Sequence, residues 1–166
     1  MPETVPEAIG RHARVKGGDA VYWTPSRVWT FAELEDASNR IATGLKGLGI
    51  VAGDRVACLT KQTADCVTLV LAANKLGAVC MPVNWRLAPP EIDYIVENGQ
   101  AKLMMADAVF PYGKIRTFVT EEFASWYGQF EPRDTNYQPE PDDTALQLYS
   151  SGTTGLPKGV ELTHTT

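Results

Sequence analysis

The sequence predicts an α/β fold with a mainly parallel sheet flanked by helices, and three observations carry that expectation. Short apolar runs of strand length alternate with longer segments whose apolar residues recur every three or four positions. Residues 54–81 read as strand, helix, strand, and two strands joined by a helix of that length pair in parallel with a right-handed crossover. Finally, 166 residues with 44% hydrophobic and 21% charged content fit one globular domain, or a piece of one, with a sizeable core.

The elements follow in order. Thr4 and Glu7 have the spacing of a capping box and Pro6 is tolerated in a first turn, so a helix is expected over 5–14. Ala20–Trp23 and Val28 with Trp29 flank the turn residues Thr24, Pro25, Ser26 and Arg27, which reads as a hairpin. Thr30 and Glu33 repeat the capping spacing, and Leu34, Ala37, Ile41, Leu45 and Leu48 then mark one face of a helix closed by Gly47 and Gly49. Residues 54–59 form a short apolar run, as a buried strand does, and a helix over 64–76 follows. Gly77 stops it, because glycine takes the left-handed conformation that ends a helix without a side-chain clash; a strand at 78–81 comes next.

A helix over 90–97 starts at prolines and ends at Asn98 and Gly99, and 102–106 is a strand. Residues 114–119 are expected as a strand and 121–127 as a short helix. Over 128–143 three prolines and five acidic residues stand against one arginine without any period, which reads as a solvent-exposed connector. Strands at 144–149 and 160–163 then bracket a ten-residue loop. The expected organisation is an N-terminal α/β subdomain over 1–127, the connector over 128–143, and a phosphate-loop hairpin over 144–166 that begins a truncated second subdomain.

Several function classes are disfavoured by composition. Fifteen basic against twenty acidic residues give a formal charge of −5, which argues against a nucleic-acid binder. The longest apolar stretch, 67–83, is broken by Thr68, Asn74 and Lys75, short of the roughly 20 apolar residues that a membrane span needs. No basic segment followed by an apolar one opens the chain, so no secretory signal is legible and a cytoplasmic location is expected. Cys58, Cys66 and Cys80 have no Cys-x-x-Cys spacing, with His12 and His164 far off, so they read as core residues rather than as a disulfide framework or zinc site.

The informative object is the loop Ser150-Ser151-Gly152-Thr153-Thr154-Gly155-Leu156-Pro157-Lys158-Gly159. Four hydroxyls, three glycines and a lysine supply many donors and few bulky groups. Glycines let backbone amides turn inward as an anion-binding concavity, hydroxyls add donors, and Lys158 adds a positive point charge, so the tail of a triphosphate is the expected guest. The spacing is not that of the Walker-type P-loop, since Pro157 stands five residues after Gly152 and a strand rather than a helix follows. The competing reading is an ordinary hairpin loop rich in turn residues, which the hydroxyl–glycine alternation closing on Pro-Lys-Gly-Val disfavours.

The stretch from Tyr149 to Val160 closely resembles the phosphate-loop signature of the adenylate-forming superfamily, which comprises acyl-CoA and aryl-CoA synthetases, peptide-synthetase adenylation domains and luciferases. Trp29-Thr30-Phe31-Ala32-Glu33-Leu34, Gly53-Asp54-Arg55-Val56-Ala57 and the run from Lys75 through Leu87 are similar to successive blocks of the family's amino-terminal region. Ser150 stands where threonine is usual, a change that keeps the hydroxyl. The resemblance implies an AMP-forming acyl-CoA ligase: a carboxylate attacks the α-phosphorus of ATP with Mg2+, pyrophosphate leaves, and the acyl-adenylate passes to coenzyme A. It implies that Ser150, Ser151, Gly152, Thr153, Thr154, Gly155 and Lys158 bind the nucleotide, with Lys158 the cation that acts in catalysis. His164 follows a family-like Leu162-Thr163 segment, but a single histidine near a helix start serves equally as a structural residue, so it is assigned no catalytic role.

Family members are about three times this long, so the resemblance implies an amino-terminal fragment, inactive alone. The adenine, ribose, Mg2+ and acyl-pocket residues would then lie past residue 166. The implied partner is a small carboxylic acid, with homo-oligomerisation or association through the truncated sheet edge also expected. The alternative is a non-catalytic nucleotide-binding or protein-interaction module built on the same fold.

Overall fold

The sheet is built by alternation. In the computed structural model, which describes residues 2–61, 64–107, 115–150 and 155–165, β3 (Arg55–Leu59) sends Val56 and Cys58 to one face and Ala57 and Leu59 to the other, and all four are buried. A strand buried on both faces needs apolar residues at every position, and here they stand at four in succession. The chain order before it is α1 (Val5–Lys16), β1 (Ala20–Trp23), β2 (Val28–Thr30) and α2 (Phe31–Gly47). After it come α3 (Ala64–Asn74), β4 (Val79–Pro82), α4 (Pro89–Asn98), β5 (Ala101–Ala106), β6 (Arg116–Val119), α5 (Thr120–Tyr127), β7 (Thr144–Ser150) and β8 (Lys158–Thr163).

The strands β6-β5-β3-β4-β7-β8 form one six-stranded sheet, parallel except for β8, which runs antiparallel to β7. The α/β class with a mainly parallel, helix-flanked sheet is thus observed. One face carries α2, α3 and α5 through Ile41, Leu45, Leu69, Ala72 and Phe123; the other carries α4 through Ile92, Ile95 and Val96. β1 and β2 make a separate antiparallel pair, as the hairpin reading expects.

Local signals hold at several helix ends. The Glu33 carboxylate accepts from the Thr30 amide at 2.8 Å while the Thr30 hydroxyl accepts from the Glu33 amide at 3.3 Å, a reciprocal capping box. Glu7 likewise accepts from the Thr4 amide at 2.8 Å. At the end of α3, Gly77 takes φ +68°, its amide donating to the Asn74 carbonyl and the Ala78 amide to the Ala73 carbonyl, which together make a Schellman turn.

Two departures have tertiary causes. β8 starts at Lys158, two residues before its expected start, because the ladder with β7 continues through Tyr149 opposite Gly159 and Ser150 opposite Lys158. The segment 128–143 contains no helix or strand, as expected, yet it is tied down along its length. Arg40 Nη1 donates to the Phe130 carbonyl at 2.7 Å, the Thr43 hydroxyl to that of Glu131 at 3.2 Å, and the Thr135 hydroxyl to that of Lys75. The segment then delivers β7 to the side of β4, where Leu146 stands opposite Cys80, so the sheet includes strands from both sides of it.

Candidate phosphate-loop site

Ser150 ends β7 and Lys158 begins β8, and the two face each other as a ladder pair that closes the loop between them. Of the expected contact residues, Ser151, Gly152, Thr153 and Thr154 lie outside the described residues. Gly155 is exposed, and a side chain on it would meet nothing within 4 Å. Lys158 is exposed and makes no ion pair among the described residues, so its ammonium is available to an anion.

Because β7 is parallel to β4, the loop after Ser150 leaves the sheet at the carboxyl ends of the parallel strands. That is the edge at which open α/β sheets bind ligands. The same edge holds a cleft of about 890 Å³ lined by residues following β3 and β4, among them Thr60, Lys61, Asn84, Trp85 and Arg86. The Lys61 ammonium lies 4.9 Å and the Arg86 guanidinium 4.3 Å from the centre of the Trp85 ring. Sequence reasoning did not single out this cationic and aromatic cleft. The available signal was that Lys61 and Trp85 each follow a strand expected to be parallel.

The base of the loop is braced by a chain of polar contacts. Glu161 on β8 accepts from Arg55 Nη2 at 2.6 Å, Arg55 Nε donates to Gln147 Oε1 at 3.0 Å, and Gln147 Nε2 donates to the Tyr149 hydroxyl at 3.3 Å. Tyr149 in turn donates to Asn98 Oδ1 at 2.7 Å, which reaches the end of α4. Partial burial raises the Tyr149 phenol above its ordinary value, so it stays protonated and keeps donating at neutral pH. Gly159 permits this arrangement: a Cβ there would meet Gln147 Nε2 at 2.6 Å and the Tyr149 ring at 3.3 Å. The hairpin that presents Ser150 and Lys158 is therefore held by β3 and α4 as well as by its own ladder.

His164 lies just past β8, partly buried, and touches none of the loop residues by any hydrogen bond or ion pair among the described residues. Among the described residues no group of three or more His, Cys, Asp or Glu side chains could hold a metal ion, so no Mg2+ ligand is assigned here. No helix among them is long and apolar enough to cross a membrane.

The mainly parallel, helix-flanked sheet matches the N-terminal domain of adenylate-forming enzymes. The model of the AMP-binding enzyme family matches residues 10–166, and the chain belongs to that family. It is 36% identical over 174 residues to the fatty acid–[acyl-carrier-protein] ligase ScoC of Streptomyces coeruleorubidus, covering 98% of this chain and 33% of that protein. It is 34% identical over 148 residues to the long-chain-fatty-acid–CoA ligase FadD13 of Mycobacterium tuberculosis, covering 81% and 29%. The crystal structure of the anthranilate CoA ligase AuaEII in complex with anthranoyl-AMP superposes with a TM-score of 0.88 at 27% identity, covering 99% of this chain and 34% of that one. The chain spans about a third of the length of the curated relatives it matches.

Proposed function

We propose that this chain is the phosphate-gripping part of a ligase that activates a carboxylic acid with ATP, releases pyrophosphate and transfers the acyl group from the adenylate to coenzyme A. The observation that carries the reading is the strand-loop-strand segment closed by the Ser150–Lys158 pair at the carboxyl edge of the parallel sheet. Hydroxyls and amides of Ser150, Ser151, Gly152, Thr153, Thr154 and Gly155 would hold the β- and γ-phosphates, and Lys158 would offset the charge that builds as pyrophosphate departs. When bound, Mg2+ would neutralise phosphate oxygens in the same step. Relatives whose names specify a coenzyme A ligase or an acyl-carrier-protein ligase support the thioester-forming class, and coenzyme A is the acceptor proposed here.

The test uses the longer enzyme that carries these 166 residues. Carboxylate-dependent exchange of pyrophosphate into ATP is expected, and Lys158→Ala is expected to lower its rate about 100-fold, the usual scale for losing one electrostatic contact to a developing charge. An unchanged exchange rate in that variant overturns the role of Lys158. Thioester formation with a carrier protein but not with coenzyme A overturns the acceptor.

A further inference from the structure

Cys58 lies near the end of β3 and Cys66 in the first turn of α3, and their sulfurs are 2.7 Å apart, the Cys58 thiol donating to the Cys66 sulfur. The Thr60 hydroxyl stands 3.5 Å from the Cys58 sulfur. Both residues line the cleft at the carboxyl edge of the sheet, but Cys58 is only 2% exposed whereas Cys66 is partly open to it. Cys80, on the neighbouring β4, is fully buried and lines no part of the cleft. Two thiols in contact at an open wall, with a third sealed away, are arranged for selective oxidation.

We propose that Cys58 and Cys66 are a dithiol that hydroperoxides oxidise to an intramolecular disulfide, with Cys66 the attacking sulfur and Cys58 the resolving one. The Cys66 thiolate attacks the terminal peroxide oxygen, the O–O bond breaks, and the departing alkoxide or hydroxide takes up a proton; Cys66 becomes a sulfenic acid. The Cys58 sulfur then attacks the Cys66 sulfur, the S–O bond breaks, and hydroxide leaves with the Cys58 proton as water. In sum the two thiols lose two electrons and two protons, and one peroxide becomes one alcohol and one water, or two waters from hydrogen peroxide.

The division of roles follows from the surroundings. The hydrogen bond from Cys58 holds the Cys66 thiol below its ordinary pKa, with help from Thr60 and against burial and the charges of Asp65 and Asp107. The same bond, together with burial, pushes Cys58 up, so Cys58 keeps its proton until Cys66 has reacted. Only Cys66 combines a lowered thiol pKa with access to the cleft. The disulfide would tie the end of β3 to the start of α3 beside Lys61 and Trp85.

The reduced 166-residue chain is treated with stoichiometric hydrogen peroxide, and its thiols are counted and mapped. Loss of two of the three thiols is expected, with a Cys58–Cys66 linked peptide, recovery on adding dithiothreitol, and Cys80 alkylated only after unfolding. In Cys58→Ser, dimedone is expected to trap a sulfenic acid at Cys66; in Cys66→Ser no thiol is expected to be lost. Retention of all three thiols in the wild-type chain overturns the proposal. So does a disulfide between chains, a dimedone adduct on Cys58 or Cys80, or oxidation past the sulfenic acid without a crosslink.

Discussion

His164 follows β8 with its Nδ1 buried and lacking a hydrogen-bond partner among the described residues. Burial holds its pKa below the ordinary value, while the charges of Asp143 and Glu7 act in the opposite direction. With the folded value depressed, the unfolded chain takes up the proton more readily, so the ring's contribution is full above about pH 6.5 and is lost as pH falls below it. His12, partly buried on α1, is shifted the same way. The carboxylates held low, such as Glu33 by the Thr30 amide and Asp143 by the Glu140 amide, lose their contributions only in more acidic solution. The melting temperature of the chain is therefore expected to fall between about pH 7.5 and about pH 5.5, and His164→Gln to flatten that slope. Equal slopes in the two proteins would count against it. At this scale the roles proposed for Lys158 and Ser150 rest on residue type and spacing, because a lysine among hydroxyls and glycines has few structural uses. The Cys58–Cys66 contact was not: a spacing of eight residues across a strand, a loop and a helix leaves the distance to the packing of β3 and α3.

Where elements end, the sequence is again informative, and Gly77 shows both its reach and its limit. The left-handed φ of +68° follows from a glycine placed after an apolar helix, and the Schellman bonds of Gly77 and Ala78 follow from that φ. Nothing local announces that the Tyr137 ring packs against the same glycine, at a distance where a Cβ would overlap it. Tyr137 is held there by donating to Asp143 Oδ2 at 2.7 Å, which pushes its own phenol up to about 12. Gly77→Ala thus combines a left-handed backbone, costing about 1–2 kcal/mol, with displacement of Tyr137. Urea unfolding is expected to show a loss of about 3 kcal/mol in total, within the range of the larger single-residue effects. A loss below about 1 kcal/mol would mean that the turn and the connector adapt without resistance.

Across the whole molecule the decisive feature is that β7 returns to the side of β4, which sets the loop between Ser150 and Lys158 on the edge shared with Lys61, Trp85 and Arg86. That edge supplies cations and donors, but electrostatic help does little unless the reacting groups are also held in register. The 166-residue chain alone is accordingly expected to show no carboxylate-dependent pyrophosphate exchange above background under conditions where a full-length ligase of the AMP-binding enzyme family is active. Robust exchange by the short chain would show that it holds every group needed to position acid and nucleotide. What the sequence by itself determined was the class of each element, because an alternation of two or a period near 3.6 in apolar residues is a local record of which face is buried. It also determined the helix stops, and it is the source of the phosphate-binding role proposed for the loop. The order β6-β5-β3-β4-β7-β8, the bracing of the loop through Arg55, Gln147, Tyr149 and Asn98, and the meeting of Cys58 with Cys66 were decided only by the tertiary structure. The braces join residues as many as 106 positions apart, and no local pattern encodes a contact whose existence depends on how two distant surfaces pack.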